Sequence, residues 1–362
     1  MLFALLRPWV RLVARLWFGA STEVYKGRGP YLVLANHSYI ADAMLVGAAF
    51  REPLHIVAAA ATLHSGAGGR LVAALADPIP VDKAGMDIKG LRRMLAEAKA
   101  GHSIGLFPEG NITIDGSPLP IDRSVAKLAK QLRLNVVLYR VEGGYFKHPK
   151  WAKTVRKGRV RGRVVDVISA EEAADATVEQ LYARIMAGIS YDAFDAPWPE
   201  DAWRGKRLAE GIERLLYYCP RCRVGAGFTA EGDAFVCRHC GAQYHIDALC
   251  RTDGPYVDTA AWNAWQQEMA LSEADTAGWA TDGVLFEVDT HAEVARGALR
   301  IDDVGVHVGT FAMAYDTLNG AVLHDCNHLL LTCGGCQYRF VPDDWHANVL
   351  PTLYVIKARI EG

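Results

Sequence analysis

The chain has 362 residues, of which 51% are apolar and 22% are charged, so it can bury more than one core and is not of the disordered type. A net charge of −2 gives no overall attraction to nucleic acid, and we expect no nucleic-acid partner. The length suggests two or three domains of about 150 residues each. No secretory signal pattern is seen at the N-terminus, and no run reaches the roughly 18 apolar residues of a spanning helix. We therefore expect a cytoplasmic protein.

Residues 1–20 predict an amphipathic helix that lies at a membrane surface. On a helix, arginines spaced by four residues form one basic stripe: Arg7, Arg11 and Arg15. The rest of the segment is apolar and includes Trp9 and Trp17, a composition typical of helices in the plane of the lipid headgroups. A core helix with a narrow polar edge is the alternative, and both can hold. The segment predicts a peripheral protein on the cytoplasmic face of a membrane, with the lipid surface as a partner.

Between residues 21 and 200 the sequence alternates between strand-like and helix-like patterns. Such alternation predicts an α/β domain around a largely parallel sheet. The predicted strands are 31–34, 55–58, 79–81, 103–107, 136–140 and 160–168. The predicted helices are 42–50, 69–75, 87–100, 124–132 and 177–188.

Two of the predicted strands end in polar residues. The apolar run YLVLA leads directly into Asn36 and His37, and Asp42 follows five residues after the histidine. A histidine at the end of a strand, with a carboxylate within reach, is typical of a positioned general base; an ordinary polar loop is the alternative. A second apolar run ends in Pro-Glu109-Gly110. Because ligand crevices lie at the carboxyl ends of parallel strands, we expect Glu109 to lie near His37 and Asp42.

The two motifs, NHxxxxD and FPEG about seventy residues later, resemble those of the glycerophospholipid acyltransferases of the lysophosphatidic acid type. The resemblance covers roughly residues 1–190. It implies that His37 takes the proton from an acceptor hydroxyl, which attacks an acyl thioester. It also implies that Asp42 orients His37 and stabilises its charged form, with no metal or cofactor needed for the chemistry.

The same resemblance implies a set of substrate-binding residues. Glu109 helps to bind the acceptor, and Lys83, at the end of the block IPVDK, supplies charge for an acceptor phosphate. The remaining members of the set are Asn36, Gly110, Asn111, Thr113 and Arg123. One position departs from the family pattern, because Ile112 stands where the third block usually has a phosphate-contacting arginine. Lys83, Arg70 or Arg123 can replace its charge but not its planar fork, which weakens the prediction of a glycerophosphate acceptor.

From these residues we expect an O-acyltransferase of phospholipid synthesis or remodelling. It would move a fatty acyl group from acyl-CoA or acyl-carrier protein to a lysophospholipid of the 1-acyl-glycerol-3-phosphate type. Two alternatives stay open: an acyltransferase with a different acceptor, and a non-catalytic lipid-binding scaffold that retains the fold. A further hypothesis, from another class, is a protein that binds nucleic acid or a partner through its cysteine-rich region, with the acyltransferase-like fold appended.

Residues 147–163 contain eight basic residues and no acidic one. Such a run is most often a solvated face; less often it contacts phosphates, an acyl carrier or anionic lipid.

Residues 205–250 predict a zinc ribbon, preceded by a short helix at 205–217. Two CxxC pairs are separated by fourteen residues, and together they supply four thiolates for a tetrahedral ion: Cys219, Cys222, Cys237 and Cys240. Four protein ligands close the coordination shell, so the predicted Zn²⁺ is structural. Scattered charge favours a docking role over nucleic-acid binding.

Residues 251–362 predict a helical connector at 257–271, a small antiparallel sheet over 281–342 and a closing helix at 343–360. This order looks like a bacterial pleckstrin-homology-type domain. Three more cysteines lie here, Cys326, Cys333 and Cys336, and we expect them to be buried apolar residues. A second metal site with His324 or His328, or a redox pair, is the alternative.

Overall fold

The computed structural model describes residues 2–59, 78–81, 88–225, 227–272 and 280–361. The chain forms two compact units. Unit 1 consists of Met1–Pro149 and Lys157–Trp203, and unit 2 consists of Lys150–Arg156 and Arg204–Gly362. The short segment 150–156 therefore belongs to unit 2, although unit 1 flanks it on both sides in the sequence.

Unit 1 is an α/β unit. Its helices are α1 (Leu2–Trp17), α2 (Asp42–Ala49), α3 (Ile88–Lys99), α4 (Ser124–Leu132), α5 (Gly144–Lys147), α6 (Ala170–Asp175) and α7 (Val178–Ile189). Its strands are β1 (Ala20–Thr22), β2 (Tyr31–Ala35), β3 (Leu54–Ala59), β4 (Ile79–Val81), β5 (Ser103–Leu106), β6 (Asn135–Glu142) and β7 (Val160–Ile168). The predicted helix at 69–75 lies outside the described residues.

The strands of unit 1 form one sheet in the order β1-β7-β6-β2-β5-β3-β4. Every pair is parallel except β6 and β7, so the predicted largely parallel sheet is confirmed. Strand β2 lies in the middle, with Leu32 opposite Ile104 of β5 on one side and opposite Val136 of β6 on the other. All five of its residues are buried, as expected of a central strand that helices cover on both faces.

The core of unit 1 positions the ends of the central strands. Leu34, Ile104 and Leu138 of neighbouring strands share one apolar cluster with Ala129 of α4 and Ile185 of α7. Burying a side chain of this size stabilises the fold by about 1.5–3 kcal/mol relative to leaving it in water. This packed core therefore fixes the positions at which β2 and β5 end.

One side of helix α1 packs against the rest of unit 1, where it contacts α2 and β1. Ala14 is buried, and the Arg11 guanidinium donates a hydrogen bond to the Thr22 carbonyl at 3.4 Å. Large apolar side chains on the same helix are exposed: Trp9, Leu12, Val13, Leu16 and Trp17. Among the described residues, no helix combines the length and apolar character needed to cross a bilayer. The predicted helix is confirmed, and its membrane placement stays a prediction.

Unit 2 contains two antiparallel sheets. The smaller has the order β10-β9-β8; its strands are β8 (Phe228–Glu231), β9 (Ala234–Cys237) and β10 (Gln243–His245). The larger has the order β14-β13-β12-β11-β17-β16-β15; its strands are β11 (Thr281–Glu287), β12 (Glu293–Ile301), β13 (Gly305–Val308), β14 (Phe311–Ala314), β15 (Leu318–His324), β16 (His328–Cys333) and β17 (Cys336–Pro342). Helices α8 (Thr259–Ser272) and α9 (Leu350–Glu361) contact each other. The predicted antiparallel sheet and connector helix are confirmed. A closing helix also forms, but it begins at Leu350 rather than at residue 343. The pleckstrin-homology-type identity stays a prediction.

The predicted helix at 205–217 is wrong. Only a single 3₁₀ turn forms there, at Ile212–Arg214. Gly211 precedes it with φ +96°, and a Cβ atom at that position would lie 2.2 Å from the Trp151 carbonyl oxygen. Arg207 also has a positive φ, of 59°, which no α-helix tolerates. The segment is instead held by turns and by a 2.7 Å hydrogen bond from the Leu208 N–H to Asp233.

The basic run at 147–163 does not form one solvated face. Lys147 and Arg156 are buried, at 7% and 1% exposure. The Arg156 guanidinium donates a hydrogen bond to the Cys250 sulfur at 2.8 Å and lies 5.7 Å from the ring centre of Trp151. Since residues 150–156 belong to unit 2, the run is also divided between the two units.

Candidate active site

The carboxyl ends of β2 and β5 bring the two polar motifs together. These strands are neighbours and run parallel, so the residues that follow them lie at the same edge of the sheet. The His37 backbone N–H donates a hydrogen bond to Glu109 Oε1 at 3.3 Å. The structure thus places Glu109 beside His37, as the strand pattern predicts.

Asp42, the first residue of α2, holds the imidazole of His37. Its Oδ2 lies 3.1 Å from His37 Nδ1 and accepts the backbone N–H groups of Ser38 at 2.7 Å and Tyr39 at 2.8 Å. The Asp42 side chain is fully buried, and 21% of the His37 side chain is exposed. Because a carboxylate only accepts hydrogen bonds, Nδ1 carries the proton, and the lone pair lies on Nε2. This is the tautomer that a general base needs.

Phe107 fixes the plane of the His37 ring. The two rings are stacked, with centroids 4.4 Å apart and an interplanar angle of 26°, and Phe107 is itself buried. With Asp42 holding Nδ1 and Phe107 covering one face, the imidazole has little freedom to turn. The sequence motif contains Phe107, but its packing role was not predicted.

Glu109 lies in an environment that disfavours its charge. The pKa of Glu109 is raised to about 8, mainly because the carboxyl is buried. Hydrogen bonds from the backbone N–H groups of His37 and Leu119 lower this pKa, and the charge of Asp42 raises it. Glu109 is therefore mostly protonated at neutral pH and can donate a hydrogen bond to a ligand.

Asn36 joins β2 to β6. Its amide N–H₂ donates to the Val141 carbonyl at 2.9 Å, and its amide oxygen accepts the Val141 N–H at 2.7 Å. The side chain is buried, so its main role is to set the end of β2 against the neighbouring strand. Its predicted contact with substrate stays a prediction.

The loop after β5 folds back over His37. Gly110, with φ +68°, closes a turn by donating its N–H to the Phe107 carbonyl at 3.0 Å. The Thr113 N–H then donates to the His37 carbonyl at 3.1 Å, and the Thr113 hydroxyl lies 2.7 Å from the Ser117 carbonyl oxygen. Asn111 accepts the backbone N–H of Ile112 at 3.0 Å. These contacts order the loop, and substrate contacts from Gly110, Asn111 and Thr113 stay predictions.

Of the two predicted phosphate-binding cations, the structure describes Arg123 but not Lys83. Arg123 is exposed just before α4, and its guanidinium lies 6.0 Å from the ring centre of Tyr182 on α7. Lys83 lies outside the described residues, as does Arg70. Substrate binding by Arg123 and Lys83 therefore stays a prediction.

Comparison with known proteins finds two similarities for unit 1. Residues 20–141, which contain His37, Asp42 and Glu109, match the family model described as Acyltransferase. Over these residues the chain is similar to the acyltransferase family. A solved structure, the 1-acyl-sn-glycerophosphate (LPA) acyltransferase PlsC from Thermotoga maritima, is similar with a TM-score of 0.46 and 18% sequence identity. The match covers 54% of this chain and 81% of that chain.

Unit 2 contains a cysteine cluster that can hold a metal. One sulfur from each of four residues lies within 4.8 Å of the others: Cys219, Cys222, Cys237 and Cys240. The Cys219–Cys240 sulfurs are 3.7 Å apart, and the Cys222–Cys237 sulfurs are 3.8 Å apart. Tetrahedral Zn–S bonds of about 2.3 Å place sulfurs about 3.8 Å apart, so the spacing fits a zinc ion.

Both halves of the cysteine cluster have the same backbone shape. Each CxxC pair is followed by a residue in the left-handed region, Arg223 with φ 57° and Gly241 with φ 69°. The N–H groups of these residues donate to the carbonyls of Cys219 at 2.8 Å and Cys237 at 3.1 Å. Two matching turns thus present two sulfurs each to one point.

The three C-terminal cysteines are not buried, so the expectation for them is wrong. Cys326 and Cys333 are half-buried, and Cys336 is exposed. Cys333 and Cys336 lie opposite each other on β16 and β17, across a tight turn of two glycines with positive φ. Among the described residues, none of the three takes part in a group of three possible metal ligands.

Proposed function

We propose that the protein is an O-acyltransferase that moves a fatty acyl group from acyl-CoA or acyl-carrier protein to the hydroxyl of a lysophospholipid. One observation carries this proposal: the buried Asp42 carboxylate holds Nδ1 of the His37 imidazole, which leaves Nε2 as the basic nitrogen. A base that a buried carboxylate orients in this way serves proton transfer and is not needed for lipid binding alone, which favours an enzyme over a scaffold.

The reaction follows from that geometry. His37 Nε2 accepts the proton of the acceptor hydroxyl while the oxygen attacks the thioester carbonyl, which gives a tetrahedral intermediate. When the intermediate collapses, the C–S bond breaks and the imidazolium returns the proton to the leaving thiolate. Asp42 stabilises the imidazolium between these two steps, as a buried carboxylate does in hydrolytic triads. No cofactor enters the reaction.

Glu109 contributes as a neutral hydrogen-bond donor to the acceptor. Its burial keeps the proton on the carboxyl at neutral pH, so it adds no negative charge next to Asp42. This would leave a lysophospholipid phosphate to cations elsewhere, such as Lys83. Because Ile112 occupies the position where the family resemblance implies an arginine, an acceptor without glycerophosphate is the second candidate.

The apolar surface of α1 supports a peripheral position on the cytoplasmic face of the membrane. Trp17 is 81% exposed at the end of α1, and Ile40, in the loop between His37 and Asp42, is 73% exposed. Phe18 and Tyr39 join these two places through an edge-on ring contact of 6.5 Å. An apolar surface next to His37 would let a membrane-bound acceptor reach the base without leaving the lipid.

For unit 2 we propose one structural Zn²⁺ bound by the four cysteines of the ribbon-like sheet. Full thiolate ligation leaves no open position for chemistry. The ion would fasten the two turns that flank β8 and β9, and we expect no nucleic-acid partner.

The test is transfer of a radiolabelled acyl group by the full-length protein to lysophosphatidic acid, lysophosphatidylcholine and a lyso-lipid without phosphate. His37→Ala is expected to lower the rate about 10²- to 10⁴-fold. His245→Ala, which removes a half-exposed histidine from unit 2, is the matched control and should be fully active. If neither the wild type nor the control transfers acyl groups from any thioester donor while lipid still binds, the scaffold alternative is correct.

A further inference from the structure

Three possible metal ligands meet in unit 1 at the end of the sheet opposite to His37. His55 is the second residue of β3, Glu97 lies in the last turn of α3, and His102 precedes β5. One ligand atom from each lies within 4.8 Å of the others. His37 follows the carboxyl end of β2, whereas this group, the His55 cluster, lies at the amino ends of β3 and β5, which run parallel to β2.

The side chains of the His55 cluster are already held in position. Glu97 Oε2 lies 2.7 Å from His102 Nδ1, and Glu97 Oε1 accepts a hydrogen bond from Arg93 Nε at 2.6 Å. The two imidazole rings are stacked, with centroids 4.9 Å apart. The backbone adds a further tie, since the His102 N–H donates to the Glu97 carbonyl at 3.0 Å.

We propose that the His55 cluster is a second metal site, which binds one Zn²⁺ through two imidazoles and a carboxylate. This donor set is one that zinc prefers, and tetrahedral bonds of about 2.0–2.1 Å place the donor atoms about 3.3 Å apart. Contacts of 2.7 Å to 4.8 Å reach that spacing through small rotations of side chains. His102 is free to make such a rotation because half of its side chain is exposed.

On metal binding, Glu97 exchanges its hydrogen bond with His102 for a bond to the ion and keeps its hydrogen bond with Arg93. The ion takes the place of the proton between His102 Nδ1 and Glu97, and the neutral imidazole then carries its proton on Nε2 instead. Arg93 stays on the second carboxylate oxygen, where it orients the ligand from outside the coordination shell. Water completes the shell on the exposed side of His102. The ion would join the end of α3 to the starts of β3 and β5, so its role is to fix this part of the sheet rather than to react.

Cobalt spectroscopy distinguishes this site from the cysteine cluster. The full-length protein is first loaded with one equivalent of Zn²⁺, which the four thiolates take, and is then titrated with Co²⁺. We expect d–d absorption bands with saturation at one Co²⁺ per chain and no thiolate-to-cobalt charge-transfer band. Thiolate-to-cobalt charge-transfer bands would show that cobalt is bound by the cysteine cluster instead of by the His55 cluster.

The variants His55→Ala and His102→Ala should lose these bands, with an affinity loss beyond the roughly 10- to 100-fold that removal of an outer-shell partner costs. His102→Asn keeps a hydrogen-bond donor for Glu97 but supplies no imidazole, so it should fold normally and still fail to bind. His245→Ala is the histidine control and should bind like the wild type. The proposal is overturned if the wild type shows no second bound metal, or if the His55 and His102 variants bind it as well as the control does.

Discussion

Among single residues, Asp42 decides whether His37 can act as a base. Asp42→Asn keeps the size of the side chain but places an amide where a carboxylate accepts three hydrogen bonds. The amide oxygen can still accept from the backbone, so the fold should survive, while the imidazolium loses its counter-charge. We expect kcat for acyl transfer to fall about 10²- to 10⁴-fold with a much smaller change in KM. An equal loss of binding and turnover would contradict this role.

Glu109 predicts a pH dependence that a substitution can remove. Its pKa is raised from 4.5 to about 8, so the folded state binds a proton that the unfolded state has already released between these values. Stability should therefore fall as the pH rises from about 5 to about 8, because the native state is the one that binds more protons. Activity should also fall above about pH 8, as Glu109 becomes charged beside Asp42.

Glu109→Gln is the matched variant, since it is neutral at every pH and still donates a hydrogen bond. Urea unfolding at several pH values should show a flatter stability profile for this variant than for the wild type, and the alkaline decline in acyl transfer should move to higher pH. A wild-type profile that the substitution leaves unchanged would rule out Glu109 as the group responsible.

Between elements, the bond between Asn36 and Val141 fastens β2 to β6. Asn36→Ala leaves a buried N–H and a buried carbonyl without partners, which should lower the free energy of unfolding by about 1–3 kcal/mol. Asn111→Ala is the control, because Asn111 is only half-buried and lies in a loop outside the strands. Urea unfolding of the two variants measures the difference, and equal effects would contradict a special role for Asn36.

The elements also show where sequence patterns suffice. Strand 160–168 and helix 124–132 have the predicted bounds, because a run of one periodicity between turn residues specifies both ends locally. The two polar motifs that follow β2 and β5 were also predicted to lie close together, because neighbouring parallel strands have their carboxyl ends at the same edge of the sheet. The segment 205–217 has a helical composition, yet contacts of Gly211 with Trp151 and of Leu208 with Asp233 override it. Such contacts join residues far apart in sequence, and no local pattern encodes them.

At the scale of the whole molecule, substitutions in α1 test whether the protein attaches to a membrane. Replacing Trp9, Leu16 and Trp17 by serine removes apolar surface that is 66%, 68% and 81% exposed, so the fold should be unaffected while binding to vesicles is lost. Val304→Ser, at a 68% exposed site in unit 2, is the control and should bind as the wild type does. Cosedimentation with vesicles of phosphatidylglycerol and phosphatidylethanolamine measures the binding. Equal binding by the triple variant and the control would exclude α1 as the membrane contact.

Zinc removal tests how unit 2 is held together. Four of the eleven residues in its small sheet are buried, so we expect it to depend on the ion that the four sulfurs can bind, as small metal-bound modules do. Cys237→Ser should lower zinc content by about one ion per chain and lower the midpoint of thermal unfolding, because a serine hydroxyl is a poor substitute for a thiolate. Cys336→Ser is the matched control: it removes an exposed thiol that belongs to no ligand group among the described residues. Metal analysis and calorimetry of the two variants should differ in both readouts. If Cys237→Ser retains the zinc of the wild type, the four-cysteine site is not the one that binds it.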